Sequence, residues 1–165
     1  MALAFAVRDW MSPREAILDE VGIAPGFRVL DYGCGPGSYI VAAARRAGAS
    51  GRVYAVDSNP LALEEARRRA AANGLSNVAT IRTDCATGLP NESIDRALLY
   101  DILHGLDRPA DVLAELQRVL KRDGVLSVSD HHLSEAEILD RVTRAGSFKL
   151  SSKGAKTYSF TKVGE

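Results

Sequence analysis

The chain has 165 residues, 46% of them hydrophobic and 25% charged, values ordinary for a water-soluble globular domain. Lys+Arg and Asp+Glu both number 21, so the net charge is zero, and no basic excess points to nucleic acid or an anionic membrane as partner. No apolar run approaches the roughly 20 residues that span a bilayer, and Arg8 and Asp9 interrupt the mildly apolar start, so neither a membrane span nor a secretory signal is expected. Cys34 and Cys85 stand far apart with no metal or redox spacing, which suits free thiols in the cytoplasm.

Short β-branched runs alternate with longer amphipathic stretches, the pattern of βαβ units. "SPREAILDEVG" (12–22) predicts a helix capped by Ser12, with Pro13 in its first turn and Gly22 as its stop. "RVLDY" (28–32) is a strand, and "SYIVAAARRAG" (38–48) a helix. "GRVYAVD" (51–57) is a strand. The helix in "NPLALEEARRRAAANG" (59–74) has Asn59 as cap, Pro60 at its first position and Gly74 as its stop. "VATIRTD" (78–84) and "SIDRALLYD" (93–101) are strands. "RPADVLAELQRVLKRDG" (108–124) predicts a helix with basic residues in its last turn. A strand "GVLSVSD" (124–130) and a Ser134-capped helix (133–146) follow. "FKLSS" and "KTYSFTK", joined by a turn at Lys153-Gly154, predict an antiparallel hairpin.

The sum is an α/β, doubly wound, Rossmann-like sheet of seven strands, mostly parallel, with a C-terminal antiparallel hairpin and helices on both faces. One domain covers 1–165, with 1–20 as an N-terminal segment and helix able to serve as a lid, and 146–165 as the terminal hairpin. In such folds ligands bind at the carboxyl ends of the strands. Asp31, Asp57, Asp84, Asp101 and Asp130 all fall there.

The loop in "VLDYGCGPGSY" (29–39) carries Gly33, Gly35 and Gly37. Ser38 replaces the last glycine of the dinucleotide fingerprint, the one that admits close helix packing. Asp57, about 20 residues on at the end of the next strand, suits the hydroxyls of an unphosphorylated ribose. Asp31 decides between nucleotides: a pyrophosphate beside it meets like-charge repulsion, whereas an ammonium group is attracted. S-adenosylmethionine joins an adenosine to an amino-acid tail. Its ammonium would meet Asp31, and its carboxylate the loop N–H groups. The competing reading of Asp31 is a cap on the loop or the next helix.

"VLDYGCGPG", "VYAVDSNP", "IRTDCATGLP", "IDRALLYDILHGLDRP" and "VLKRDGVLSVSD" resemble, in order, the motifs of class I S-adenosylmethionine-dependent methyltransferases, over about residues 14–130. They are most similar to the small-molecule branch with the quinone-biosynthesis and arsenite methyltransferases. The resemblance implies that Asp31, Gly33, Cys34, Gly35 and Gly37 hold the methionine moiety, Asp57 the ribose and Ser58 the adenine. Asp84 and the Cys85 backbone would read the adenine edge, with Tyr100 and Asp101 beneath the methyl. Cys34 and Cys85 also read as small packing residues, and Asp84 as a turn cap.

The acceptor is expected to be a small molecule. A general base suits a neutral oxygen or nitrogen acceptor. His104 is the favoured base, with Asp101 and His131 as further catalytic candidates; of the adjacent His131 and His132, only one can face the pocket. A Mg²⁺ site on Asp101, Asp130 and His131, as in catechol-type enzymes, is a weaker alternative, since the rest of that pattern is missing. No N-P-P-Y follows strand four, which disfavours exocyclic amines as acceptors. The little chain available for a lid predicts an acceptor pocket that is small and open or completed by a second subunit, as in a homodimer. Phe5, Trp10 and Met11 would close over the cofactor or anchor the first helix. Two other classes compete. An NAD-dependent oxidoreductase is disfavoured by Asp31, the loop spacing and the lack of a Tyr-x-x-x-Lys motif. A non-catalytic cofactor-binding subunit would need a partner.

Overall fold

The computed structural model describes residues 13–164. The Ser12 cap and the lid residues Phe5, Trp10 and Met11 lie outside the described residues. The elements, in chain order, are α1 (Pro13–Val21), β1 (Arg28–Tyr32), α2 (Ile40–Ala47), β2 (Arg52–Asp57), α3 (Pro60–Ala72), β3 (Val78–Arg82) and β4 (Ile94–Tyr100). After a 3-10 turn at Leu103–Gly105 come α4 (Pro109–Val119), β5 (Leu120–Ser129), α5 (Glu135–Thr143), β6 (Phe148–Lys153) and β7 (Tyr158–Lys162).

The strands form one seven-stranded sheet in the order β3-β2-β1-β4-β5-β7-β6. The pairs from β3 through β5 are parallel. The hairpin strand β7 is antiparallel to both β5 and β6. The expected seven-stranded, doubly wound sheet is therefore observed. Its strand order reverses between β1 and β4, so a crevice opens there at the carboxyl ends of the strands.

Alternation along the strands distributes the core to two faces. Val29, Val53, Leu98 and Tyr100 point to one side, where they pack with Leu18 of α1 and Ala43 and Ala44 of α2. Leu30, Val56, Ala97 and Leu99 point to the other, against Val112, Leu113 and Leu116 of α4 and Ile138 and Val142 of α5. Phe148 and Phe160 of the hairpin close that second layer. Each is almost wholly buried, a gain of about 1.5–3 kcal/mol per side chain.

Local chemistry fixes the helix ends. The Asn59 side chain accepts from Leu61 N–H with Pro60 at the first turn, and Ser134 forms a reciprocal capping box with Glu137. One boundary differs from the sequence reading. The helix predicted over 108–124 ends at Val119, and Leu120 already pairs with Ile94 as the first residue of β5. The ladder then shifts register, so that residues 121–124 bulge out before Val125 pairs with Arg96. Leu120 is fully buried, and Lys121 bonds Asp95 at 2.8 Å. These basic residues belong to a bulge rather than to a helix terminus, and only Arg118 sits in the last turn.

The glycine loop packs differently from the fingerprint. Gly37, with φ +91°, brings the loop against α3: a Cβ there would lie 3.3 Å from the Ala66 Cα. Close helix packing thus falls to Gly37, and Ser38 is released to face a cavity. Gly37→Ala is expected to destabilise the fold by about 1–3 kcal/mol, because the backbone of α3 cannot yield. Urea unfolding checks this.

Candidate active site

Two cavities flank the glycine loop and share Gly33. The first, about 310 Å³, is lined by Tyr32, Asp57, Ser58, Asp84, Ile102 and Arg108, among others. The second, about 450 Å³, includes Arg14, Asp31, Cys34, Ser38, Tyr39, Tyr100, Asp101, His131 and Lys156 in its wall.

Asp31 is the penultimate residue of β1, between two parallel neighbours, pairing with Ala55 and Leu98. It is 2% exposed, and its Oδ2 has no hydrogen-bond partner among the described residues. Burial first, and then the negative charge of Asp57, push its carboxyl up to about 7. A cap would spend its oxygens on loop N–H groups; Oδ2 instead has no partner, on a residue that lines the second cavity.

The loop amides are committed within the fold. Gly33 and Cys34 N–H donate to Val56 O, Gly35 N–H to Asp57 Oδ2 at 3.0 Å, and Gly37 N–H to Cys34 O. These four amides are thus engaged inside the fold. The Arg14 guanidinium donates to Ser38 Oγ at 3.0 Å, at the wall of the second cavity. Sequence reading missed Arg14. Its signal was a basic residue in the first turn of a helix, where the macrodipole disfavours positive charge.

Asp57 ties the loop to α3, since its Oδ1 accepts from Asn59 N–H at 2.8 Å. Ser58 and Asp84 line the first cavity with it, and Asp84 lies 3.6 Å from Arg108. Cys85 lines neither cavity. Its N–H donates to Thr83 Oγ1 and its carbonyl accepts from Tyr32 Oη. Gly35 and Gly37 also shape the loop without lining a cavity. Cys34 is buried, and burial followed by the charges of Asp31 and Asp57 pushes its thiol up, so it stays protonated and unreactive.

Tyr100 is buried, shares a hydrogen bond with Ser127 at 2.8 Å, and meets Tyr39 edge-on at 5.0 Å between ring centroids. Next to it, Asp101 adopts φ +56°, a left-handed conformation that Asp tolerates better than most residues. That turn aims its carboxylate at His131. Asp101 Oδ1 accepts from His131 N–H at 2.9 Å and lies 2.6 Å from Nδ1.

The histidines separate into two groups. His131 lines the second cavity, whereas His132 stacks on His104 at 4.1 Å. His104 lines neither cavity: Leu103, fully buried, curls the chain into the 3-10 turn and carries His104 onto Asp130. Asp130 accepts from His104 N–H, His132 N–H and the His104 ring. Burial works against its charge, but those hydrogen bonds outweigh it and hold the carboxyl below its ordinary range. The pair Asp101–Asp130 that a Mg²⁺ site needs is thereby divided between two histidines. Among the described residues no three metal-ligating side chains converge.

The family model described as a methyltransferase domain matches residues 23–160. The chain belongs to the methyltransferase-domain family. This methyltransferase domain is 38% identical over 96 residues to aklanonic acid methyltransferase DauC of Streptomyces sp. (strain C5), covering 53% of this chain and 44% of that one. It is 32% identical over 136 residues to 2-phytyl-1,4-naphtoquinone methyltransferase of Trichormus variabilis, covering 76% and 58%. The chain thus spans about half the length of these curated relatives. Among solved structures it is similar to a SAM-dependent methyltransferase from Aquifex aeolicus, with TM-score 0.79, 23% identity and coverage of 91% and 88%. It is also similar to an arsenic(III) S-adenosylmethionine methyltransferase from Chlamydomonas reinhardtii, with TM-score 0.67, 25% identity and coverage of 86% and 64%. The cofactor of this family is S-adenosylmethionine, and the residues present fit it: Asp31 keeps a buried carboxylate oxygen without a partner, and Arg14 lines the same cavity.

Proposed function

We propose that the protein transfers a methyl group from S-adenosylmethionine to a small-molecule acceptor. The observation that carries this reading is the buried, unpaired Oδ2 of Asp31, a residue that lines a cavity beside the glycine loop. A buried acceptor atom without a donor is unfavourable by about 1–3 kcal/mol unless a ligand supplies one. The methionine ammonium is such a donor, and a pyrophosphate is not.

The remaining assignments follow from the two cavities. Asp31 binds the ammonium, and Arg14 with Ser38 binds the carboxylate. Gly33, Cys34 and Tyr100 form the wall along the methionine chain, with Gly35 and Gly37 shaping the loop. Asp57 keeps lone pairs for the ribose, and Ser58 and Asp84 flank the adenine. The engaged backbone of Cys85 leaves it a packing role. When bound, the cofactor supplies a methyl on a sulfonium, already a strong electrophile. The chain's own task is to orient the acceptor and move its proton. Asp101 and His131 carry out the second part: Asp101 holds Nδ1, which leaves Nε2 to accept a proton. Among the described residues no helix is long and apolar enough to cross a membrane. That, zero net charge and two free cysteines support a cytoplasmic enzyme without a nucleic-acid partner.

Calorimetry with S-adenosylmethionine, S-adenosylhomocysteine and NAD tests the proposal. Binding of both sulfur nucleosides and not NAD is expected; NAD alone would identify an oxidoreductase instead. Tight cofactor binding without turnover against any acceptor would support a partner-dependent subunit. Asp57→Ala is expected to weaken cofactor binding by about 1.5–3 kcal/mol, the range for hydrogen bonds involving a charged group. Unchanged affinity in the same titration would remove Asp57 from the ribose site.

A further inference from the structure

The second cavity is lined by two cations, Arg14 and Lys156, and by two carboxylates, Asp31 and Asp101. Arg14 and Lys156 both line it, and they arrive from opposite ends of the chain. Arg14 is joined to Ser38 of the glycine loop, so it belongs with the amino-acid end of the cofactor. Lys156 comes from the β6–β7 turn. Among the described residues it has no carboxylate within salt-bridge distance. Two other hairpin lysines are engaged: Lys153 is paired with Glu135, and Lys162 donates to the Leu120 carbonyl.

The backbone at Lys156 is held in place. Glu20 of α1 accepts from Lys156 N–H at 3.0 Å, Thr157 N–H at 2.9 Å and Thr157 Oγ1 at 2.6 Å. Gly154 N–H closes the turn onto Thr157 O, and the carboxylate of Glu20 occupies the space a Cβ at Gly154 would need. Thr157 is 1% exposed. This anchor fixes the base of Lys156 at the cavity wall.

Charge then selects the acceptor. With the cofactor bound, Asp31 is matched by the ammonium and Arg14 by the carboxylate. The sulfonium and Lys156 remain against the single carboxylate of Asp101, which is held on His131, so one net positive charge is left. A cationic acceptor is repelled by both cations. An acceptor with an acid group neutralises Lys156 and is drawn toward the sulfonium. We propose that the methyl acceptor is a small organic acid, whose carboxylate is gripped by Lys156 while another of its atoms reaches the Asp101–His131 pair, Glu20 acting as the positioning residue for that grip. This rests on the methyl-donor reading of the same site.

The test uses the whole chain with methyl-labelled S-adenosylmethionine and a panel of small carboxylic acids, each paired with its primary amide. Direct binding of the same compounds to the S-adenosylhomocysteine complex is followed by the lysine side-chain NMR signal of Lys156. Acids are expected to bind or be methylated in preference to their amides, and to shift the Lys156 signal. Lys156→Ala is expected to weaken the best acid by about 10–100-fold, with Lys156→Arg restoring most of it, and to leave cofactor affinity unchanged. Glu20→Gln should weaken the same acid without changing its preference over the amide. Amides performing as well as acids, or no acid binding to a protein that still binds the cofactor, would overturn the acid acceptor and leave the methyl-donor reading intact. A Lys156→Ala loss in cofactor affinity equal to that in the acid would assign Lys156 to the cofactor instead. Failure to bind S-adenosylmethionine at all would count against the methyl-donor reading, and the acid acceptor would fall with it.

Discussion

Asp31→Asn should abolish cofactor binding while making the folded protein more stable above pH 7. The two effects have one cause. Burial raises the Asp31 carboxyl from an ordinary 3.8 to about 7. In the unfolded chain the same group ionises near its ordinary value, so between these two pH values the folded state holds the extra proton. The stability contributed by protonated Asp31 is complete below pH 3.8 and is lost as pH rises through about 7. At 1.36 kcal/mol for each pH unit, that loss is about 4 kcal/mol. An amide carries no charge to bury, but its polar atoms also lack partners, at about 1–3 kcal/mol. The net gain expected for Asp31→Asn at pH 8 is therefore about 1–3 kcal/mol. Below pH 3.8 the advantage vanishes, because wild-type Asp31 is then neutral as well.

Binding moves in the opposite direction. The ammonium of the cofactor needs the carboxylate, and an amide leaves that charge in a partly desolvated site without its counter-charge. Such a loss is about 3–5 kcal/mol, or at least about 100-fold in affinity. Wild-type affinity should fall by about tenfold for each pH unit below 7, as Asp31 takes up its proton, and level off above it. Chemical denaturation at pH 5 and 8, with calorimetry across the same range, measures both. A variant that is destabilised at pH 8, or that binds as wild type does, would show that Asp31 is an internal cap.

The contrast between Asp31 and Lys156 explains what the sequence could disclose. Asp31, Asp57 and Tyr100 sit at the ends of buried strands, and strand register alone delivers them to one edge of the sheet. Their spacing to the glycines is local, so a linear reading reaches them. Arg14 and Lys156 are brought together by the Glu20–Thr157 tie, which links positions 137 residues apart. No local pattern encodes such a contact. The end of α4 failed for a related reason. Arg118, Lys121 and Arg122 resemble a basic helix terminus, but Leu120 gains more by entering the core beside Ile94 than by continuing the helix. The loop glycines show a smaller offset: Gly37 rather than the position of Ser38 meets α3, because the approach of Ala66 is set one residue earlier.

Histidines are the hardest case, because a strand end gives position and not direction. His104 and His131 each follow a central strand, yet turnover should depend on His131 and stability on His104. His131 presents its ring to the second cavity with Nδ1 held 2.6 Å from Asp101 Oδ1. Removing it as His131→Ala should lower turnover by about 10²–10⁴-fold, the usual contribution of a positioned general base, with cofactor affinity unchanged. His131→Ala leaves an exposed surface position, its side chain being 77% exposed in the folded protein, so little stability should be lost. His104→Ala does the reverse. It removes the ring that faces both oxygens of Asp130, whose side chain is fully buried, and leaves only two backbone donors for that carboxylate. The loss should be about 1–3 kcal/mol of stability with turnover largely kept once the protein is folded. Because the Asp130 carboxyl is held low in the folded state, its contribution is present at neutral pH and disappears as pH falls through that lowered value. The deficit of His104→Ala against wild type should therefore shrink in acid. Steady-state kinetics, with denaturation at pH 7 and 3, separates the two histidines; a large turnover defect in a well-folded His104→Ala protein, beside an active His131→Ala, would return the base to the 3-10 turn after β4.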